Sequence, residues 1–354
     1  MKKLIIHIGT HKTGTSAFQK VCRKHSKFFK DKFNLSFLDI TKEESLKVKD
    51  INVAQRIMLS ENVDFEASKK LNDYLNEQLK DEKEAYLLSY EGFSGNLKKL
   101  YSNRKWALKN LANAIPNSVD VTIMIAFRKQ DQFIQSAYNQ QRHGGDFMKF
   151  NDFYDFKFKE GLDWCSFLQD IEANFPLSKL IPIPYDTSVL QKKSLPKIIF
   201  TELGIKENQL LELESNLSIE ENRGFNTDAA LLYETLIPKL NNIKEKKLLR
   251  RYLQRYSSKK VFEEYNIISE REKKAISNLY KDSNLKLFKK YCQKKYSLND
   301  FSPSVQDEFS QKNNVNLEKF LILKLIEEVA RETKKRNNSF FIRVAYKMNS
   351  VFKI

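Results

Sequence analysis

The chain opens on an apolar run, Leu4, Ile5, Ile6 and Ile8, interrupted only by His7, which predicts a short strand buried on both faces. Gly9 to Ser16 then carries small and polar residues and predicts a turn, and Ala17 to His25 returns apolar residues at helical spacing. Residues 39–84 are rich in Asp, Glu and Lys and keep mostly helical spacing. "AYLLSYEGFSG", residues 85–95, predicts a second buried strand ending in a glycine-rich turn. "RKWALKNLANAIP" predicts a helix that Pro116 ends, because proline cannot continue the hydrogen-bond ladder. "DVTIMIAF" predicts a third strand, running into a helix that starts near Gln130 and stops at the Gly144–Gly145 pair. "KLIPIPY", residues 179–185, predicts a fourth strand, confined by its prolines to an edge or an irregular path. From about residue 226 onward every periodic segment is helical.

Strands that alternate with helices, with nearly continuous apolar strand cores, predict an α/β fold with a central, mainly parallel sheet covered on both faces. The expected division is an α/β core over residues 1–225 and a helical C-terminal extension over 226–354 packed on that core. Ligands of such sheets sit beyond the carboxyl ends of the strands. His11 to Ser16, Ser89 with Glu91, and Arg128 each follow a predicted strand, so they are expected to converge on one crevice.

Composition narrows the partners. Hydrophobic residues make up 41% and aromatics 12%, which excludes a disordered chain, and the net charge of +17 predicts an anionic partner. Nucleic acid, an acidic glycan, a phosphorylated nucleotide and a membrane surface all satisfy that charge. Cys22, Cys165 and Cys292 are widely separated and odd in number, which argues against a disulfide framework and a zinc site and fits a reducing compartment. The first apolar run is too short for a signal-peptide core, and no segment has the apolar length of a membrane span, so a cytoplasmic body is expected. At the far end, Phe340, Phe341, Val344, Ala345, Met348, Val351 and Phe352 form one apolar stripe beside Arg343, Lys347 and Lys353. That stripe either packs on the helical extension or lies peripherally at the inner membrane.

The opening strand, loop and helix carry the candidate chemistry. A strand followed by a glycine-bearing loop and a helix brings backbone N–H groups and a helix N-terminus to one point, which suits an anion. The Walker loop of ATP and GTP enzymes requires G-x-x-x-x-G-K-[ST]. Gly9 and Gly14 have that spacing, but Thr15 stands at the lysine position and Lys12 precedes the second glycine by two residues.

"HIGTHKTGTSAFQ" resembles the 5′-phosphosulfate-binding loop of sulfotransferases that use 3′-phosphoadenosine 5′-phosphosulfate (PAPS), and "FRKQDQFIQSAYNQQ" resembles their 3′-phosphate-binding motif. The likeness is nearest to bacterial, glycan-modifying members. It covers the first 145 residues by motif, with a further similarity in "SNLKLFKKY" near residue 283. It implies a P-loop-like three-layer fold, PAPS as donor without a metal, and a hydroxyl on a bacterial surface carbohydrate as acceptor, leaving nucleic acid no role. Lys12 would stabilise charge on the bridging oxygen, and His11, Thr13, Gly14, Thr15 and Ser16 would surround the 5′-phosphate. Arg128 and Ser136 would take the 3′-phosphate, with Arg223 in "NRGFNTDAA" as a further contact. Family members use a histidine or a glutamate as general base after the strand between the two motifs. The matching stretch here implies Glu91, with His11 and His7 as rivals. His7 by itself reads as a core histidine. Two other classes remain open at this point: a P-loop-type nucleotide kinase and a non-enzymatic polyanion-binding protein.

Overall fold

The computed structural model describes residues 1–80, 83–143, 152–154, 162–190, 195–206, 209–210, 229, 232–233, 236–237, 240, 243–256, 268–292 and 295–300. The elements that matter run in the order β1 (Lys2–Gly9), α1 (Thr15–Lys24), α2 (Ser26–Phe33), β2 (Leu35–Leu38), a ribbon of β3 (Lys47–Val48) and β4 (Ile51–Asn52), α3 (Val53–Leu59), and α4 (Phe65–Gln78). They continue with β5 (Ala85–Ser89), α5 (Arg104–Ala114), β6 (Val119–Phe127), α6 (Gln130–His143), α7 (Trp164–Asn174), β7 (Lys179–Pro184), α8 (Leu195–Glu202), α9 (Ile243–Tyr256) and α10 (Glu270–Leu287).

Five strands form one parallel sheet in the order β2-β5-β1-β6-β7. Leu4, Ile6 and Ile8 bury one face of β1, while Ile5 lies on the other and joins Leu87, Met124 and Ala126 in one apolar cluster. Phe18, Val21 and Cys22 of α1, Phe29 of α2 and Ile198, Ile199 and Phe200 of α8 complete that cluster. On the opposite face Phe127 meets Trp164 and Phe167 of α7, at 5.2 and 6.0 Å between ring centroids. Helices therefore cover both faces, as continuous apolar strands require.

Topology positions the crevice. After β1 the chain moves to one side of the sheet, to β2. After β6 it moves to the other, to β7. A ligand cleft belongs where neighbouring strands send their connections in opposite directions, here beyond the carboxyl ends of β1 and β6.

Two local features differ from the sequence pattern. "LSFL" forms the edge strand β2, four residues too short to carry a readable alternation, held by parallel pairing to β5. The segment expected to be mostly helical also contains the β3–β4 ribbon, paired antiparallel. β7 is an edge strand, one of the two paths its prolines Pro182 and Pro184 allow, and pairs on one side only, to β6. The helix containing "SNLKLF" is tied to the start of α6 by a buried amide pair, with Gln130 Nε2 donating to Asn284 Oδ1 at 2.8 Å and Asn284 Nδ2 to Gln130 Oε1 at 3.1 Å.

Two compact units interleave along the chain. The first comprises Met1–Ser136, Phe150–Glu220 and Arg271–Val305, and holds the whole sheet. The second comprises Ala137–Lys149, Glu221–Glu270 and Gln306–Ile354, and includes α9 with Leu249 and Leu253 buried. The apolar stripe of residues 340–352 lies outside the described residues. Among the described residues no helix is long and apolar enough to cross a membrane.

A buried ion pair locks the carboxyl ends of β6 and β7 together. Lys129 Nζ lies 3.0 Å from Asp186 Oδ2, with side chains 8% and 4% exposed, and Gln132 Nε2 donates to the same oxygen at 3.3 Å. Removing one partner strands a buried charge, so Asp186→Ala is expected to cost about 3–5 kcal/mol of unfolding free energy in urea. Replacing both residues by apolar ones of similar volume should recover most of that loss. A single-variant cost below about 1 kcal/mol would mean the pair is solvated.

Candidate functional site

The turn from β1 into α1 is closed by packing rather than by a helix cap. A Cβ on Gly9 would overlap Thr15 Oγ1, so only glycine lets the first turn of α1 sit this close to the strand end. The Thr10 hydroxyl donates to Ala126 O at 2.8 Å, pinning the loop to β6, and the Thr13 hydroxyl donates back to Thr10 O at 2.5 Å. Lys12 and Gly14 both lie in the left-handed region, at φ 68° and 73°. For a lysine that conformation costs about 1 kcal/mol or more, and strain of this kind collects at functional sites.

These contacts decide what the loop can present. Thr13 spends its proton inside the loop, and the Thr15 hydroxyl is buried against Gly9 with no hydrogen-bond partner. An anion in this turn would therefore meet backbone N–H groups at the start of α1 rather than the Thr13 hydroxyl. The first intrahelical bond of α1 runs from Phe18 N to Gly14 O, no side chain caps its N-terminus, and its first turn carries no acidic residue. The N–H groups of Thr15, Ser16 and Ala17 thus have no partner within the helix, and the helix dipole adds positive potential there. Ser16 is exposed beside them.

Glu91 reaches the same place from β5. Tyr90 N donates to His7 O at 3.2 Å, carrying the chain past the strand end into a short 3-10 turn, Glu91–Ser94. Burial raises the Glu91 pKa, and the nearby Lys12 ammonium opposes the shift. His11 is held by Tyr101, whose phenol oxygen accepts the His11 backbone N–H at 3.0 Å and lies 3.1 Å from His11 Nδ1. Burial, with Lys12 second, lowers the His11 pKa to about 4. Lys12, Glu91, His11 and Tyr101 are thus one electrostatic group, as the strand-end positions predicted for the first three.

His7 belongs beneath this group rather than in it. Its Nδ1 lies 2.9 Å from Ser89 Oγ, its ring meets Phe18 edge-on at 5.0 Å, and burial lowers its pKa to about 3. It is a core histidine, as its place in the strand suggested.

Arg128 follows β6 directly. Its backbone carbonyl accepts Trp164 Nε1–H at 2.9 Å, and its guanidinium lies 5.9 Å from the Tyr185 ring centroid. A Cβ on Gly14 would stand 3.0 Å from Tyr185 Cε2, so the same tyrosine touches the loop and carries the arginine. Ser136 is buried on α6. Asp131, in the first turn of α6, is a buried acidic neighbour whose pKa burial raises and the Gln132 N–H, Lys129, Lys273 and Arg128 lower. Arg223 lies outside the described residues.

Tyr101, Tyr185 and Asp131 were not singled out by sequence. Asp131 carried a weak signal as an acid one residue into a predicted helix, and the tyrosines carried none. A cavity of about 570 Å³ lies elsewhere, lined by Glu43, Glu66, Lys69, Asp73 and Tyr74 among others, and mixes both charges. Among the described residues no three His, Cys, Asp or Glu side chains are grouped to hold a metal. Compared with known proteins, the chain matches no family model and no curated protein.

The buried histidines fix a pH dependence. The folded state keeps His7 neutral down to about pH 3, whereas the unfolded chain protonates it near its ordinary 6.5. Below 6.5 the unfolded state binds more protons, so this contribution is complete above 6.5 and is lost as pH falls toward 3. The expected loss is up to about 1.4 kcal/mol per pH unit from His7. Urea unfolding at pH 7, 6 and 5 measures it. His7→Gln should flatten the slope, and an unchanged slope would place the proton uptake elsewhere.

Proposed function

We propose that this chain transfers a sulfuryl group from PAPS to an acceptor hydroxyl, and that the β1–α1 loop is a P-loop-like phosphosulfate site. One observation carries the reading: Lys12, in a strained left-handed conformation, shares its field with Glu91 and His11 beside an uncapped helix N-terminus at the switch point of the sheet. A Walker lysine would grip the β- and γ-phosphates of a triphosphate. Here that position is a buried threonine, and the cation sits earlier in the loop.

In this reading the donor supplies an activated sulfuryl group whose departure leaves charge on a phosphate oxygen. Lys12 meets that charge, and the first-turn N–H groups of α1 hold the 5′-phosphate. Glu91 accepts the acceptor's proton. Its raised pKa makes it a stronger base than an exposed glutamate, and Lys12 keeps it ionised enough to act. Arg128, carried on Tyr185, takes the 3′-phosphate, with Ser136 on the helix that follows. The basic chain and the family resemblance support a carbohydrate acceptor at the cytoplasmic side of the inner membrane.

Calorimetry with adenosine 3′,5′-bisphosphate in EDTA tests the donor site. Binding is expected to survive EDTA and to exceed that of ATP. Arg128→Ala should weaken it by about 2–5 kcal/mol, the range for truncating one side of a charged hydrogen-bonded pair. Glu91→Gln should keep bisphosphate affinity while transfer of labelled sulfate to a carbohydrate panel falls roughly 10²- to 10⁴-fold. Preference for ATP, or equal affinity of Arg128→Ala and the parent, would overturn the reading.

A further inference from the structure

One face of α10 holds the turn that carries Arg128. Tyr280, Ser283, Asn284 and Leu287 recur at helical spacing, and Tyr280, Asn284 and Leu287 are buried. The Tyr280 hydroxyl accepts Leu162 N–H at 3.3 Å. The Ser283 hydroxyl donates to Asp163, the residue whose carboxylate caps α7 at Ser166 N. Asn284 and Gln130 are both fully buried and exchange two amide bonds, and Gln130 Nε2 also reaches Leu162 O at 3.4 Å. Polar side chains on one helix face therefore grip both the start of α6 and the two residues before α7.

These grips bracket Arg128 from both sides. Gln130, two residues after it, is fixed by Asn284. Trp164 follows the gripped pair Leu162 and Asp163, and its indole N–H donates to the Arg128 carbonyl at 2.9 Å. Between them Lys129 is tied to Asp186. The amide pair is a directional device more than a source of stability. Replacing two mutually bonded buried polar groups by apolar groups of the same shape is close to neutral, whereas a bonded amide pair is satisfied in one geometry only. Its effect is thus to restrain where residues 128–130 stand.

Resting on the reading of Arg128 as the 3′-phosphate contact, we infer that Asn284 is a positioning residue for the donor site. Through Gln130, 154 residues away in the chain, it sets where Arg128 leaves the end of β6. The face of α10 thereby decides the preference for a 3′-phosphorylated nucleotide over one phosphorylated only at the 5′ position. Asn284 acts through the turn and touches no nucleotide itself. The loop after β1, which would take the 5′-phosphate, is held by separate ties, from Thr10 to Ala126 and from Thr13 to Thr10.

Calorimetry on the full chain, with adenosine 3′,5′-bisphosphate and adenosine 5′-monophosphate as probes, compares the parent with the double variant Gln130→Met/Asn284→Leu. That variant keeps the shape of both side chains and removes both amides, so its urea midpoint should stay close to the parent's. Its affinity for the bisphosphate should fall about tenfold or more, the scale of a misaligned charged hydrogen bond, while the monophosphate stays within about twofold. An equal loss of both nucleotides would make the pair structural only, and an unchanged bisphosphate affinity would detach it from Arg128. Either result overturns the inference. Hydrogen exchange of the Trp164 indole, told apart from Trp106 by Trp106→Phe, reads the turn without any nucleotide. It should quicken in the double variant, because the Arg128 carbonyl is no longer held in place, and unchanged exchange also overturns the inference. Tyr280→Phe removes only a hydroxyl and carries the same two expectations where the double variant does not fold. If the parent itself binds no bisphosphate, the donor reading fails and with it the nucleotide preference, while the indole exchange still decides whether α10 holds the turn.

Discussion

The contact between Gly9 and the Thr15 hydroxyl is the constraint from which the rest of the site follows. Because no Cβ intervenes, the carboxyl end of β1 and the first turn of α1 approach more closely than ordinary side chains allow. The intervening residues must then turn within a few positions, which requires left-handed backbone at Lys12 and Gly14. Thr10 and Thr13 hold that turn from inside with their own hydroxyls. The turn is held by local contacts, and the left-handed backbone at Lys12 sets where its side chain leaves the loop.

Desolvation sets the electrostatics above this turn. The strand ends beneath the crevice are buried, so charges near them are penalised and His7, His11 and Glu91 all shift toward their neutral forms. Lys12 works against that trend at Glu91 and with it at His11. One cation therefore separates the two neighbouring bases, favouring ionisation of the carboxyl and the neutral state of the imidazole. The net charge of +17 is a property of the whole chain and would look the same without this arrangement. In the proposed reading, local backbone dipoles, one lysine and one arginine would attract the anion.

The second tie is Tyr185. It touches Gly14 with its edge and lies under the Arg128 guanidinium, so the loop after β1 and the residue after β6 are not independent. Across the switch point of the sheet, β6 contributes the carbonyl that anchors Thr10 and the arginine that follows it. The spacing between the loop and Arg128 is thereby set by one strand pairing, β1 with β6, whose register runs unbroken to Gly9 opposite Ala126.

The amino-acid sequence by itself determined β1, β5 and β6, because strands buried on both faces need continuous apolar runs that no other element requires at that length. It also determined that Lys12, Glu91 and Arg128 stand at strand ends, since each follows such a run directly. The proline-bearing β7 was legible as an edge for the same reason: a missing N–H excludes the interior of a sheet. The four residues of β2 were not, because so short a run has no period to read. Nor could sequence say where hydroxyl protons go. Whether Thr13 and Thr15 face a ligand or their own loop depends on the nearest acceptor in space, and Tyr101 meets His11 across 90 residues. Only the tertiary structure decided these, because a hydrogen bond is chosen by a distance of a few ångströms, and neither periodicity nor composition encodes which distant oxygen will lie there.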